Sequence, residues 1–257
     1  MADIKPQVYK DPRPAEYFDQ FHERARTRDP DLMYEVVRTV LTPVMLGPYR
    51  TRAIGSEHVP SEGPVLLAPN HFSQMDHFFA GMYLRRKIRF MAKSQLFGPP
   101  VLTWVYRHGG VFPVRRGYSD DEALKTVGAI FDRGGAVLVY AEGGRSRTGD
   151  LGEPRRGIGR IALESGVPVV PVAIHGSGSV RKWKKLAFPK VTVQYGEPIT
   201  FPVTPDPDRE QQQLASNTVF DQVKLMYTGL DENGRRGVKQ ALEGKIPAPD
   251  PGEVSPR

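Results

Sequence analysis

Hydrophobic and polar positions alternate along the chain in two different rhythms. Short apolar runs bounded by proline, glycine or charge predict buried strands at Pro64–Ala68, Ile88–Ala92, Gly109–Val114, Ala136–Tyr140 and Val167–Ile174. Lys190–Tyr195 alternates as a strand does, and a further strand is expected within Arg52–Val59. Between these lie stretches at helical spacing, at Asp76–Arg86, Asp120–Asp132, Ile158–Ser165 and Glu210–Leu230, with a broken apolar segment from Lys93 to Arg107. Pro171 falls inside its run and predicts an edge strand or a bulge, because proline cannot donate to a ladder. Strands and helices taken in turn predict an α/β fold: a central mixed, largely parallel sheet of about seven strands flanked by helices.

The ends read differently. Residues 1–30 are polar and proline-bearing, and predict a loose arm with a short helix near Glu16–Arg26. In residues 31–48, Met33, Val36, Val37, Val40, Leu41 and Val44 recur at helical spacing, with a kink expected at Pro43. This amphipathic segment suits either the core or a membrane interface, with Arg50 and Arg52 near headgroups. From Asp231 the chain turns polar and predicts a mobile tail. The expected organisation is an N-terminal arm and membrane-associating segment (1–48), an α/β domain (49–230) and a flexible tail (231–257). No apolar run approaches the ~18–20 residues that span a bilayer, and the polar N-terminus shows no signal peptide.

Composition narrows the chemistry. The 257 residues include no cysteine, which excludes disulfides, thiol nucleophiles and thiolate metal sites. A net charge of +7 favours an anionic partner: nucleic acid, an anionic membrane surface or a phosphorylated small molecule. Nucleic acid has only this charge in its favour.

The chemistry-bearing residues cluster after predicted strands. Asn70-His71-Phe72-Ser73-Gln74-Met75-Asp76 follows the first buried run. If His71 lies in the turn, its ring can fold back onto Asp76, and a carboxylate on one imidazole nitrogen leaves the other free to take a proton. Ser73 and Asp76 also fit a capping box, which needs no chemistry at all. Arg115 and Arg116 end a strand, where two guanidinium forks can clamp a phosphate or stand as a solvated turn. Ala141–Asp150 is rich in glycine and arginine and suits an anion, but no Gly-Lys-Ser/Thr follows, so it is no P-loop. Gly157-x-Gly159-x-x-Ala162 imitates a dinucleotide fingerprint but follows a basic loop rather than a strand. Arg181-Lys182-Trp183-Lys184-Lys185 suits headgroups or phosphate, or a solvated loop.

Asn70-His71-x-Ser73-x-x-Asp76 resembles the first motif of the glycerol-phosphate and lysophosphatidate acyltransferase family. The resemblance extends over roughly residues 50–200. Gly109 to Arg115 is similar to the second motif, with Pro113 in place of Ile. Tyr140-Ala141-Glu142-Gly143-Gly144-Arg145-Ser146 resembles the third, Phe-Pro-Glu-Gly-Thr-Arg-Ser, without its Thr hydroxyl. Val167–Pro171 resembles the fourth. The resemblance implies that His71 is a general base oriented by Asp76. It implies that Asn70, Ser73, Arg115, Glu142, Gly143 and Arg145 serve the acceptor, and that Phe79, Met82 and Pro171 are candidates for the acyl site. It implies an acyl-CoA or acyl carrier protein donor, a lysophosphatidate acceptor (or glycerol-3-phosphate, or another lysolipid), and neither cofactor nor metal. The expected place is the cytoplasmic face of the cell membrane, peripherally bound. Two other readings stay open: a non-catalytic phospholipid-binding module, and a metal-assisted hydrolase using His71, Asp76 and His77. Hydrogen-bond reach between His71 and Asp76 at the mouth of an apolar pocket separates the enzyme from the module.

Overall fold

The computed structural model describes residues 10–118, 120–146, 148–178 and 188–244. Val65–Pro69 forms β2, the central strand, and all five residues are buried. Leu66 and Ala68 face one core cluster while Val65 and Leu67 face another. A strand covered on both faces needs apolar residues at every position, so it shows a continuous run and no alternation.

The sheet has seven strands: β1 (Arg52–Ile54), β2, β3 (Ile88–Lys93), β4 (Val111–Val114), β5 (Ala136–Leu138), β6 (Val169–His175) and β7 (Thr192–Tyr195). Their spatial order is β1-β7-β6-β2-β5-β3-β4, and every neighbouring pair is parallel except β6 with β7. The helices are α1 (Asp19–Thr27), α2 (Leu32–Leu46), α3 (Asp76–Gly81), α4 (Pro100–His108), α5 (Asp121–Asp132), α6 (Gly157–Ser165) and α7 (Arg209–Leu242). Helices α5, α6 and α7 bury their apolar stripes against one face of the sheet; α3 and the C-terminal end of α2 cover the other. Residues 70–76, 115–116 and 140–146 lie beyond the C-terminal ends of parallel strands, and Lys93 is the last residue of its strand. In an open α/β sheet this is the edge where ligands bind.

Four expectations need correction. Pro171 is not on an edge: β6 lies between β7 and β2, with Pro171 opposite Ala68. The ladder to β7 ends at Val172–Tyr195, and pairing resumes at Val169–Ile199 with one extra residue on the facing segment. The bulge therefore lies opposite the proline, where no donor is called for. Second, α3 stops at Gly81 rather than Arg86. Arg86 and Lys87 instead reach other loops, donating to the carbonyls of Pro60 and Gly134 and of Pro30. Third, Asp231 does not begin a tail. α7 continues to Leu242, changing direction at Gly234 (φ 63°), and Arg235 donates to Thr192 Oγ1 and the carbonyls of Val191 and Arg50. Fourth, the N-terminal arm is packed from residue 11 onward. Arg13 pairs with buried Asp11 and donates to the Ser94 and Phe97 carbonyls, while Phe18 and Phe21 close on Phe97.

One surface feature stands out. Leu32, Val36, Val40 and Val44 step along α2 four residues apart and are all exposed, Leu32 to 75% and Val40 to 65%. Val101 and Trp104 on α4 are exposed as well, and α2 packs beside α4. No helix among the described residues is long and apolar enough to cross a membrane.

Candidate active site

Beyond Pro69 the backbone leaves the sheet, and Asn70 continues the pairing with its side chain. Buried Asn70 donates from Nδ2 to the Ile174 carbonyl (3.1 Å) and accepts the Ile174 amide on Oδ1 (2.7 Å). Its polar groups are thus spent on β6 rather than turned to a ligand. The turn that follows brings His71 and Asp76 together at 2.9 Å between Nδ1 and Oδ2. The same carboxylate oxygen accepts the amides of Phe72 and Ser73, each at 2.7 Å. Three donors hold one buried oxygen of Asp76, so the His71 proton sits on Nδ1 and Nε2 keeps its lone pair.

Ser73 does not start α3 as a capping box would have it. The N-cap position is Met75, and Ser73 Oγ accepts the Met75 amide at 3.2 Å. Only the half of the box in which Asp76 accepts the Ser73 amide is made.

Burial pushes the His71 imidazole below its ordinary range. The Asp76 hydrogen bond opposes this, and the nearby cations Arg145 and Arg116 add to the lowering. The ring is therefore neutral near pH 7, as a base must be. Tyr140 stacks on it, with centroids 3.6 Å apart and planes 14° apart.

Glu142 grips the same turn. Its Oε1 accepts the His71 amide and its Oε2 the Gly152 amide, both at 2.8 Å. Burial raises its pKa. The Ser146 amide donates to the His71 carbonyl at 2.8 Å. Glu142 thus fixes the loop to the histidine, with both oxygens engaged by the protein. Gly143 is left-handed (φ 65°), and a Cβ there would lie 2.9 Å from the Arg155 side chain.

An open cleft of about 1090 Å³ runs along this edge, lined by Arg116, Tyr118, Tyr140, Gly143, Arg145 and Arg155 among others. Arg115 turns away from it. Its guanidinium donates to the Arg13 carbonyl (3.1 Å) and lies over the Tyr118 ring (4.3 Å). Successive residues at a strand end point to opposite sides, so one of the two arginines had to face the cleft, and it is Arg116. Lys93, at the end of β3, has its pKa lowered by burial and then by Arg145 and Arg116. Arg145 and Arg116 thus act on both His71 and Lys93. Nothing in the residue pattern marks Lys93 beyond its place after a predicted strand.

An apolar pocket lies between α2, α3 and α4 on the other face of the sheet. Met82, Phe78, His77, Leu41 and Phe90 line it. Phe79 is instead fully buried in the core, edge-on to Tyr49 at 5.5 Å. Pro171 packs near Gly196 and Met226, away from the pocket. His77 faces the pocket rather than the His71–Asp76 pair, and among the described residues no three His, Asp or Glu side chains gather as metal ligands. The Arg181–Lys185 run lies outside the described residues.

Residues 50–175 match the family model described as Acyltransferase. Over 135 residues it is 33% identical to the 1-acyl-sn-glycerol-3-phosphate acyltransferase BAT2, chloroplastic, of Brassica napus, covering 51% of this chain and 39% of that protein. It is 30% identical over 135 residues to LPAT1, chloroplastic, of Arabidopsis thaliana, an enzyme of the same name, covering 51% and 38%. The chain thus spans about two fifths of the length of these plant relatives. The crystal structure of the 1-acyl-sn-glycerophosphate (LPA) acyltransferase PlsC from Thermotoga maritima shares the fold, with a TM-score of 0.58 and 24% identity, covering 84% of this chain and 89% of that one.

Proposed function

We propose that the protein transfers an acyl chain from a thioester, acyl-CoA or acyl carrier protein, to a hydroxyl of lysophosphatidate. The observation that carries this reading is the His71–Asp76 pair, stacked on Tyr140 and gripped by Glu142 of a cationic cleft, with an apolar pocket between α2, α3 and α4. Lysophosphatidate offers a phosphate for Arg116, Arg145 and Lys93, and a hydroxyl for His71. His71 Nε2 takes the hydroxyl proton as the oxygen attacks the thioester carbon. Asp76 stabilises the imidazolium, which then protonates the leaving thiolate. Holding both reactants in place supplies much of the rate.

The test is release of free CoA from palmitoyl-CoA, with lysophosphatidate and then glycerol-3-phosphate as acceptor. Acceptor-dependent release is expected, lower by about 10³-fold in His71→Ala, on the scale of losing a general base together with its hydrogen-bonded partner. The acid limb of the rate profile should fall below the ordinary histidine value, because burial holds His71 neutral. Release without acceptor would mark a thioesterase. No release from folded protein that binds vesicles would leave a phospholipid-binding module instead.

The same reading places the protein peripherally on a membrane, at the cytoplasmic face where the donors are. The exposed α2 stripe and Trp104 would dip into a leaflet. Val40→Asp should weaken sedimentation with phosphatidylglycerol-containing vesicles by at least tenfold, since a charge in the centre of the stripe must be dehydrated. Unchanged binding would remove α2 from the interface.

A further inference from the structure

His77 is the one histidine whose ring takes no hydrogen bond from the described protein. The chain has six. His22 bonds Thr126, His58 bonds the Tyr195 carbonyl, His71 bonds Asp76, His108 bonds Asp31 and His175 bonds Asp231. His77 has only ring contacts, with Phe78 at 3.9 Å and edge-on with Phe90 at 5.5 Å. It lines the apolar pocket directly after Asp76. A phenylalanine or leucine would complete the apolar wall; an imidazole instead presents a hydrogen-bonding N–H to whatever enters the pocket.

The surroundings restrict that ligand. Burial, and then the neighbouring His71, pull the His77 pKa down to about 4, so at neutral pH the ring is an uncharged donor. An anionic headgroup would gain little from an uncharged ring and would have to shed its water to enter the pocket. A neutral carbonyl fits. On the proposed reaction, the hydrocarbon of the acyl chain occupies the apolar pocket and its carbonyl carbon must lie near His71. The carbonyl oxygen is the polar atom of that chain that lies between them.

We infer that His77, from the wall of the apolar pocket, donates a hydrogen bond to the carbonyl oxygen of the acyl thioester. The inference rests on the acyl-transfer reading. As the acceptor oxygen bonds to the carbonyl carbon, its proton passes to His71 Nε2 and the C=O pair moves onto oxygen. The His77 N–H then faces an oxyanion, to which a hydrogen bond is stronger than to the neutral carbonyl. When the pair returns, the C–S bond breaks and the thiolate takes the proton from His71. The products are the ester and the free thiol, with His77 unchanged.

Two variants separate this role from packing. His77→Phe keeps a ring against Phe78 and Phe90 but has no donor; His77→Asn restores an N–H. With palmitoyl-CoA and lysophosphatidate, His77→Phe should lower kcat about 10²–10³-fold, the scale of one lost oxyanion donor, with KM for the thioester within about twofold. His77→Asn should recover at least tenfold of the loss. The melting temperature of His77→Phe should match or exceed that of the wild type. A binding measurement stands apart from turnover. By calorimetry, wild type should prefer palmitoyl-CoA over S-hexadecyl-CoA, which lacks the carbonyl, by roughly 3–10-fold, the worth of one neutral hydrogen bond; His77→Phe should show no preference. Wild-type turnover with an equally active His77→Phe, or a loss in KM alone, overturns the inference and leaves the acyl-transfer reading standing. Wild type without turnover ends that reading, and equal affinity for the two CoA derivatives then ends this one too.

Discussion

Asp76→Asn is expected to lower acyl transfer by about 10³–10⁴-fold, the scale seen when an asparagine replaces the carboxylate that orients a catalytic histidine. The reason lies in the donors around one oxygen. Oδ2 of Asp76 receives the His71 Nδ1–H and the amides of Phe72 and Ser73. An asparagine oxygen turned toward them accepts more weakly, because it carries no charge. It also gives no electrostatic support to an imidazolium, so His71 becomes a poorer base. The variant has a second fault. Oδ1 of Asp76 is buried and has no hydrogen-bond partner. An asparagine that keeps its oxygen on the three donors puts its NH₂ there, with nothing to accept it. An unsatisfied buried donor costs about 1–3 kcal/mol, so the melting temperature should fall as well. The alternative orientation points the NH₂ at three donors, which is worse. Rate and melting curve should be measured together. A variant within tenfold of wild type in kcat/KM would mean that Asp76 only shapes the turn.

The contrast between Asp76 and Glu142 shows where sequence reading stops. The His71–Asp76 meeting was legible because both partners lie in one seven-residue stretch after a strong strand signal, and a turn can close it. Glu142 also touches this turn, through the His71 amide, and Asn70 reaches Ile174. Those partners are 71 and 104 residues away, brought near by sheet order, which the one-dimensional pattern does not contain. Both residues therefore read as ligands to a substrate when each is already engaged by backbone. The same holds at the end of α7. Local polarity after Asp231 suggested a tail, but Arg235 is fixed by three acceptors around the β1–β7 edge. The strand pattern fared better because β2, β5 and β6 are interior strands, and burial on both faces marks their sequence continuously. The choice between Arg115 and Arg116 could not be read, since it turns on an N-terminal segment folding over the loop and offering its Arg13 carbonyl.

The imitated dinucleotide fingerprint leads to the second large effect. Gly159 is expected to tolerate no side chain: Gly159→Ala should destabilise the fold by at least about 3 kcal/mol, the upper range for overpacking a core. A Cβ at Gly159 would lie 1.8 Å from the Gln212 carbonyl oxygen and 2.8 Å from Ser216 Oγ. The first is backbone of α7, which cannot rotate aside. Ser216 Oγ meanwhile accepts the Gly159 amide (2.9 Å) and donates to the Arg155 carbonyl (3.0 Å), tying α6 and its leading loop to α7. Relief requires the two helices to separate, and that breaks both bonds and uncovers Val219, Phe220 and Val223 in the core. For a chain of this length the loss corresponds to a fall in melting temperature of roughly 6–12 °C. Gly157 supplies the control, since a Cβ there meets nothing within 4 Å. Gly157→Ala should leave the melting temperature unchanged or raise it slightly, because alanine loses less backbone entropy in a helix. Equal curves for the two variants would show that α6 and α7 can part without cost, and that the second glycine of the motif is not needed for packing. The expected difference instead assigns Gly159 to the packing of α6 on α7, not to the approach of a pyrophosphate that the second glycine of a dinucleotide fingerprint serves.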